Sequence, residues 1–285
     1  MVQRSRFRSY LAVSEISFRN MRQYTIEFLT SFAYFPAQLI ALFFVYSIVY
    51  LQALILNGIT VIGGFAFPQL ISYLFIAVIM YHVIPVYRLS GEVEKDIVRG
   101  PLISYLAKPI DYAGFKFFGE LPRTLLYLFF GAITYGITMI FLPLPIPSLL
   151  NILLFIPFFY LGYLIAFLLI FTMALAAFWV SHQWWLRHLF SLLMAIVGGG
   201  LIPLSFYPPA IQIVLSLLPF QYLYFVPAMI LQGYYLPELL ISLALLGVFW
   251  LIIVYGLSRL VGIGGAIVMK VQGARYKSIP RCIFY

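Results

Sequence analysis

The sequence predicts an all-α polytopic membrane protein with six transmembrane helices, and three observations carry that prediction. Only 9% of the 285 residues are charged and 64% are hydrophobic, at a mean hydropathy of +1.06. A soluble globular chain carries roughly 25% charged residues, so this chain lacks the polar surface to cover a core of its size in water. The apolar residues also come in runs long enough to cross hydrocarbon as helices, which takes about 20 residues each. A transmembrane barrel would instead show ~10-residue alternating segments. Finally, the charges are gathered: of 17 Lys and Arg and 8 Asp and Glu, 11 lie between Arg88 and Arg123. No long polar stretch is left to build a soluble domain.

Residues 4–28 read as an N-terminal amphipathic helix. At 100° per residue, Arg4, Arg8, Glu15, Arg19 and Arg22 fall within an arc of roughly 60°, with Tyr10, Val13, Met21, Tyr24 and Phe28 opposite. Such a helix suits a membrane surface, with arginines toward anionic headgroups and aromatics in the acyl boundary. A helix packed on its own protein or on a partner gives the same pattern. The spans follow at 28–56, with Pro36 placed to kink its start, and at 68–87, with Pro85 at its exit. The link 57–67 is uncharged and its glycines suit a turn. Residues 88–120 form a charged segment, read as two short helices broken at Gly100. The third span is 121–142. The fourth, 149–180, is longer than a bilayer needs and must tilt, bend at Pro157 or project. Trp184 and Trp185, beside Arg187 and His188, suit an interfacial aromatic anchor. The fifth span, 189–206, carries Gly198, Gly199 and Gly200. Residues 207–237 are apolar, but Pro208, Pro209, Pro219, Pro227 and Pro237 cut them into pieces too short to cross. Broken helices survive in lipid only where protein or water satisfies their backbone, which predicts an outer re-entrant helical hairpin before the last span at 238–258.

Six spans place both termini on one side together with all 17 Lys and Arg: five in the N-terminal segment, six in Arg88–Arg123, one at Arg187 and five in the tail. The positive-inside rule makes that side cytoplasmic, and the plasma (cell inner) membrane is the expected location. The basic residues are then topological and face lipid headgroups, and no nucleic-acid partner is implied.

Chemistry-bearing motifs are scarce. No G-x-x-x-x-G-K-[ST] loop is present to cradle ATP phosphates, and there is no H-E-x-x-H, no G-x-S-x-G and no carboxylate pair within a span. His82 stands alone in its span without an acidic neighbour for a proton relay, so packing is its expected role. His182 and His188 lack cysteine or carboxylate company and are not read as a metal site. The one cysteine, Cys282, excludes an intrachain disulfide. The basic start is not followed by a clean apolar run, so no cleavable signal peptide is read.

Two stretches carry a family resemblance. GEVEKDIVRGPLISYLAKPID, between the second and third spans, resembles the coupling-helix segment of type-2 ABC exporter permeases, with Gly100 and Leu106–Pro109 matching the family's glycine and Leu-x-x-Pro phrase. Pro203-Leu204-Ser205, Pro208, Leu218-Pro219-Phe220, Pro227 and Gly233 are similar to that family's signature before its last span. The resemblance implies a half-transporter in which two permease subunits, alike or different, pair with two separate ATPase chains. ATP and Mg would then sit on the ATPase partner, with no cofactor on this chain. It further implies docking charges at Glu92, Glu94, Lys95, Asp96 and Arg99, apolar contact from Ile97, Leu102 and Tyr105, and a break at Gly100. The sparse polar residues of the spans lean toward an apolar, amphiphilic or lipid-like cargo. A membrane-embedded enzyme acting on lipid and a non-transporting immunity or sensor protein remain as other classes. The first predicts turnover by the chain alone, the second no ATPase companion.

Overall fold

The computed structural model describes residues 2–21, 25–106, 111–180, 182–235 and 237–272. Among these the architecture is helical, with one two-residue hairpin as its only sheet. Five helical stretches are long and apolar enough to cross a membrane: 36–57, 67–98, 112–141, 149–178 and 238–268. The sequence led us to expect six. The remaining stretch, 184–206, begins as a helix of only 14 residues, about 21 Å long.

Helix α1 (Val2–Met21) ends short of residue 28 and lies along the start of α6 (Tyr112–Phe141). The Tyr10 ring stacks on Phe118 at 5.0 Å, and the Ser14 hydroxyl donates to the Phe118 carbonyl at 2.7 Å. Val13 and Ser17 face Gly119. At Tyr10 and Val13, then, the apolar face sits on protein rather than in acyl chains. Leu11, Ile16 and Phe18 remain exposed.

Helix α2 (Thr25–Asn57) runs through Pro36. The link after it forms a hairpin, with β1 (Val61–Ile62) antiparallel to β2 (Phe65–Ala66). Gly63 and Gly64 supply the turn at φ 57° and 85°, the left-handed conformations that a tight primed hairpin requires. Helix α3 (Phe67–Val83) is the buried centre, with Leu70 through Met80 all shielded. Its end is set by Pro85, which holds Ile84 extended at φ −79°, ψ 115°. Helix α4 (Val86–Val98) restarts at once. The charged run after residue 88 is therefore the prolongation of the second span and not a separate loop.

Helix α5 (Leu102–Leu106) is a single short piece. Helix α6 then opens at Asp111, whose carboxylate accepts from the Gly114 N–H at 2.8 Å, a standard N-cap. Residues 112–120 are thus the first turns of the third span. Helix α7 (Leu149–Ala174), capped by Ser148, passes through Pro157 unbroken and tightens into a 3₁₀ turn at Leu175–Phe178.

Helix α8 (Trp184–Val197) has Trp184 and Trp185 in its first turn and stops at Gly198, followed by Gly199 at φ +87°. The chain continues through an irregular stretch and a 3₁₀ turn at Leu204–Phe206 to the hairpin, where Phe206 packs on Phe65 and Tyr46, with centroids 6.3 and 6.2 Å away. At the other end of α8, Arg187 pairs with Glu94 of α4. Residues 184–206 therefore connect the charged end of the bundle to its hairpin end. The prolines that follow give two short helices, α9 (Pro209–Leu217) and α10 (Phe225–Leu231), with a 3₁₀ turn at Pro219–Tyr222 between them. Helix α11 (Pro237–Gln272) starts beside this segment and outruns the expected end at 258. Its Arg259 reaches Asp111 at 3.4 Å. Helix α1 and the last turns of α11 thus share the charged end.

Lipid offers no hydrophobic drive for helix association, so close packing at small residues does the holding. Gly131 of α6 lies against Ile79 of α3, where a Cβ would come within 2.7 Å of the Ile79 side chain. The carbonyl of Tyr222 rests directly on Gly162 of α7, leaving no room for any side chain.

Candidate functional site

The chemistry-bearing residues gather at the charged end, around α4. Its inward face is Val86, Leu89, Ser90, Val93 and Asp96, at the i, i+3, i+4, i+7 spacing of one helical stripe. That stripe packs on α7 and the 3₁₀ turn after it. The outward face carries Lys95, Val98 and Arg99, all exposed, with Ile97 half-buried. The Arg99 N–H bonds to the Lys95 carbonyl at 3.0 Å, and Gly100, at φ +94°, ends the helix. Beyond it, Pro101 and Ser104 are exposed and Leu102 is buried. The Tyr105 ring lies 4.8 Å from Phe115.

Behind this face lies a network of charges. Lys116 of α6 donates to Asp96 at 2.9 Å and Glu92 at 3.1 Å, and the Tyr112 hydroxyl donates to Asp96 at 2.7 Å. Arg88 bonds Glu92 at 3.2 Å and also pairs with the buried Glu120. Arg187 of α8 lies over Gly91, whose missing side chain leaves the guanidinium room to reach Glu94. Asp111 joins α11 through Arg259 and α1 through the Tyr10 hydroxyl, which accepts the Asp111 N–H at 3.2 Å. These pairs, with the stripe packed on α7, tie α4 to α6, α7 and α8.

Glu92, Glu94 and Asp96, the acidic residues that the resemblance marked for docking, are thus engaged within the chain. Lys95 and Arg99 stand free at the surface among the described residues. Of the basic residues assigned to the membrane interface, Arg8 is exposed and Arg19 is exposed and paired with Glu15 at 2.5 Å. Arg4 falls on α1, its side chain outside the described residues; Arg22 and the Lys108–Pro109 phrase lie outside the described residues altogether. Trp184 and Trp185 are exposed, Trp184 against the His188 ring at 4.3 Å. His82 bonds its own helix at the Val78 carbonyl, 2.9 Å away, and packs on Tyr81. Sequence reasoning missed Tyr112, Lys116, Glu120 and Arg187. The signal open to it was Lys116 and Glu120, charged residues spaced i,i+4 as Arg88 and Glu92 are.

A second feature lies toward the other end. Carbonyls of the irregular stretch 198–203 find partners in side chains and in α10: Tyr73 donates to Gly199 at 2.6 Å, Tyr46 to Leu201 at 3.1 Å, and the Phe225 N–H to Gly198 at 3.1 Å. Around α9 and the turn after it, Trp250 donates to Leu217 and Tyr222 to Leu243, each at 2.7 Å. These bonds meet the condition that lipid sets on broken helices.

A family model described as ABC-2 family transporter protein matches residues 37–262. The chain belongs to the ABC-2 family. No curated protein and no solved structure matches it. As an ABC-2 protein it is a multi-pass membrane permease component, not itself the catalytic part, and its family implies association with an ABC ATPase. In this ABC-2 permease, the match takes in α4, α5, the broken segment 198–235 and most of α11. Helix α1 lies outside it.

Proposed function

We propose that this ABC-2 chain is one half of an exporter: two permease chains, alike or related, driven by ATP bound with Mg on two separate ATPase subunits. The observation that supports the reading is that α4 continues the buried central span while presenting a free basic face. A partner pushing on Lys95, Val98, Arg99 and Ser104 would move α3, and through the charge network α6 and α8 as well. Docking then falls to that face and to Tyr105. Glu92, Glu94, Asp96 and Leu102 serve from behind, as the link into the bundle.

The reading includes six crossings, the fifth made by α8 continued by Gly198–Phe206. Both termini are cytoplasmic, and the membrane is the plasma (cell inner) membrane. The segment holding α9 and α10 dips in from the outer side. Arg4, Arg8, Arg19, Arg22, Trp184 and Trp185 sit at the inner headgroup level. An apolar, amphiphilic or lipid-like cargo fits spans so poor in ionisable groups.

The test is a mild-detergent pull-down of the tagged chain from its native cells. A stoichiometric P-loop partner with vanadate-sensitive ATPase activity is expected. Reversing charge with K95E and R99E together should weaken that association by about tenfold, as charge reversal in an interface does, while the chain stays in the membrane. A chain that emerges with no nucleotide-binding partner ends the exporter reading.

A further inference from the structure

Pro122 lies inside α6, and its ring removes the N–H that would bond the Phe118 carbonyl four residues back. The Ser14 hydroxyl of α1 supplies the missing donor, at 2.7 Å. Helix α1 is thereby seated on a turn of α6 whose backbone the proline leaves open. Beside that seat the two helices part and leave a groove of about 470 Å³. Leu11 and Phe18 of α1 form one wall, and Leu121, Leu125 and Phe129 of α6 form the other. Its two polar residues are both engaged, Ser14 with the Phe118 carbonyl and Glu15 with the exposed Arg19 at 2.5 Å. The rest of the lining is apolar.

The groove opens onto the face that α6 turns to lipid. Leu125 and Phe129 begin a row that Ile133, Ile137 and Ile140 continue, all exposed and three or four residues apart on a helix long enough to span. Residues so spaced share one helical face, so the groove is the foot of a continuous apolar strip. Apolar cavities of about 150 Å³ stay dry and take a benzene ring. This groove is about three times that size, which suits a length of hydrocarbon chain. We propose that it holds one acyl chain of a phospholipid from the leaflet nearest the charged end, with the headgroup emerging at the rim beside Glu15. The contact is with hydrocarbon, so the site selects for the chain and not for headgroup charge. Through Tyr10, which also holds Asp111, the lipid-filled seat of α1 is joined to the charged end.

The full-length chain, purified in dodecyl maltoside and stripped of lipid, is irradiated with a trace of phosphatidylcholine carrying a diazirine in one acyl chain. Labelled residues are mapped by mass spectrometry. Label is expected on 11–18 and 118–129, and excess dioleoyl-phosphatidylcholine should reduce it several-fold. Label on Ile137 and Ile140, in passing contact only, should resist that competition. Dioleoyl-phosphatidylglycerol should compete equally well, and glycerophosphocholine, a headgroup without chains, should not compete. L11W puts an indole into the groove from an exposed wall and should weaken lipid binding about tenfold, as denying burial to about two methylenes does. I137W, farther along the strip, should bind as wild type. The proposal is overturned if 11–18 and 118–129 stay unlabelled, as they would if a second copy or residues 22–35 of this chain filled the groove. It is equally overturned if their label competes no better than that on Ile137, if only the anionic lipid competes, or if L11W binds normally. Should L11W aggregate, labelling of the wild type decides alone. No ATPase enters the assay, so its failure leaves the permease reading untouched.

Discussion

At the scale of single residues, the position of a charge matters more than its presence. Glu120 is almost fully buried and answers Arg88, whereas Glu15 answers Arg19 in solvent. Removing one member of a buried pair strands the other, at about 3–5 kcal/mol, while exposed pairs contribute ~0–1 kcal/mol. Arg88 is one-third exposed and keeps Glu92, which places E120A below that range, at about 1–3 kcal/mol. E15A should change stability by under ~1 kcal/mol. Unfolding in detergent compares the two directly, and equal shifts would remove the network from the list of what holds α4. The sequence shows that Glu92, Glu94 and Asp96 are charged and helical, but not which way they face. Their partners Lys116 and Arg187 lie 24 residues from Glu92 and 93 from Glu94. Spacing rules on one helix do not reach so far, so these residues read as a surface until the fold turned them inward.

At the scale of elements, proline and glycine were the legible features and helix ends were not. The proline run forecast α9 and α10 because a proline starts a helix more readily than it continues one: Pro209 opens α9 and Pro227 lies in the first turn of α10. The glycines of 57–67 forecast a turn, which became the hairpin. Pro85 ends α3 at the expected place, while Pro122 and Pro157 lie inside unbroken helices, since a helix held by neighbours tolerates a proline that would end it alone. The charged segment accordingly turned out to be the extended ends of two spans. Glycine also sets the closest approach between elements. At Gly162 the Tyr222 carbonyl fills the space of a Cβ, while around Gly256 of α11 nothing lies within 4 Å. G162L must therefore push the Pro219–Tyr222 turn off α7 and release the backbone bonds that depend on it. Yield of monodisperse protein on size exclusion should fall several-fold for G162L and hold for G256L, overpacking costing about 1–3 kcal/mol or more. Similar losses in both would mean that the broken segment is not seated on α7.

At the scale of the whole molecule, the distribution of Lys and Arg led to the expected topology, and the structure brings several of those residues together at one end. The first turns of α6 and α8, the last turns of α11, and all of α4 converge on one end through Glu94–Arg187 and Asp111–Arg259, and α1 docks there through Tyr10. The hairpin, Phe206 and the 142–148 link belong to the other end. What composition could not reveal is that 184–206 is only part α-helix, because hydropathy is blind to whether Gly198–Gly200 continues a helix or breaks it. The two possibilities separate in an accessibility experiment. If 184–206 crosses, the one native thiol, Cys282, should react with a membrane-impermeant maleimide only in inside-out vesicles. A thiol introduced by I146C, at an exposed position of the 142–148 link, should react only in intact cells, in a Cys282→Ala background. If α8 instead turned back, five crossings would carry Cys282 to the side of Ile146, and both thiols would be labelled from outside. Opposite labelling is the expected result. It would place every Lys and Arg of the chain on the side where an ATPase and its nucleotide are found.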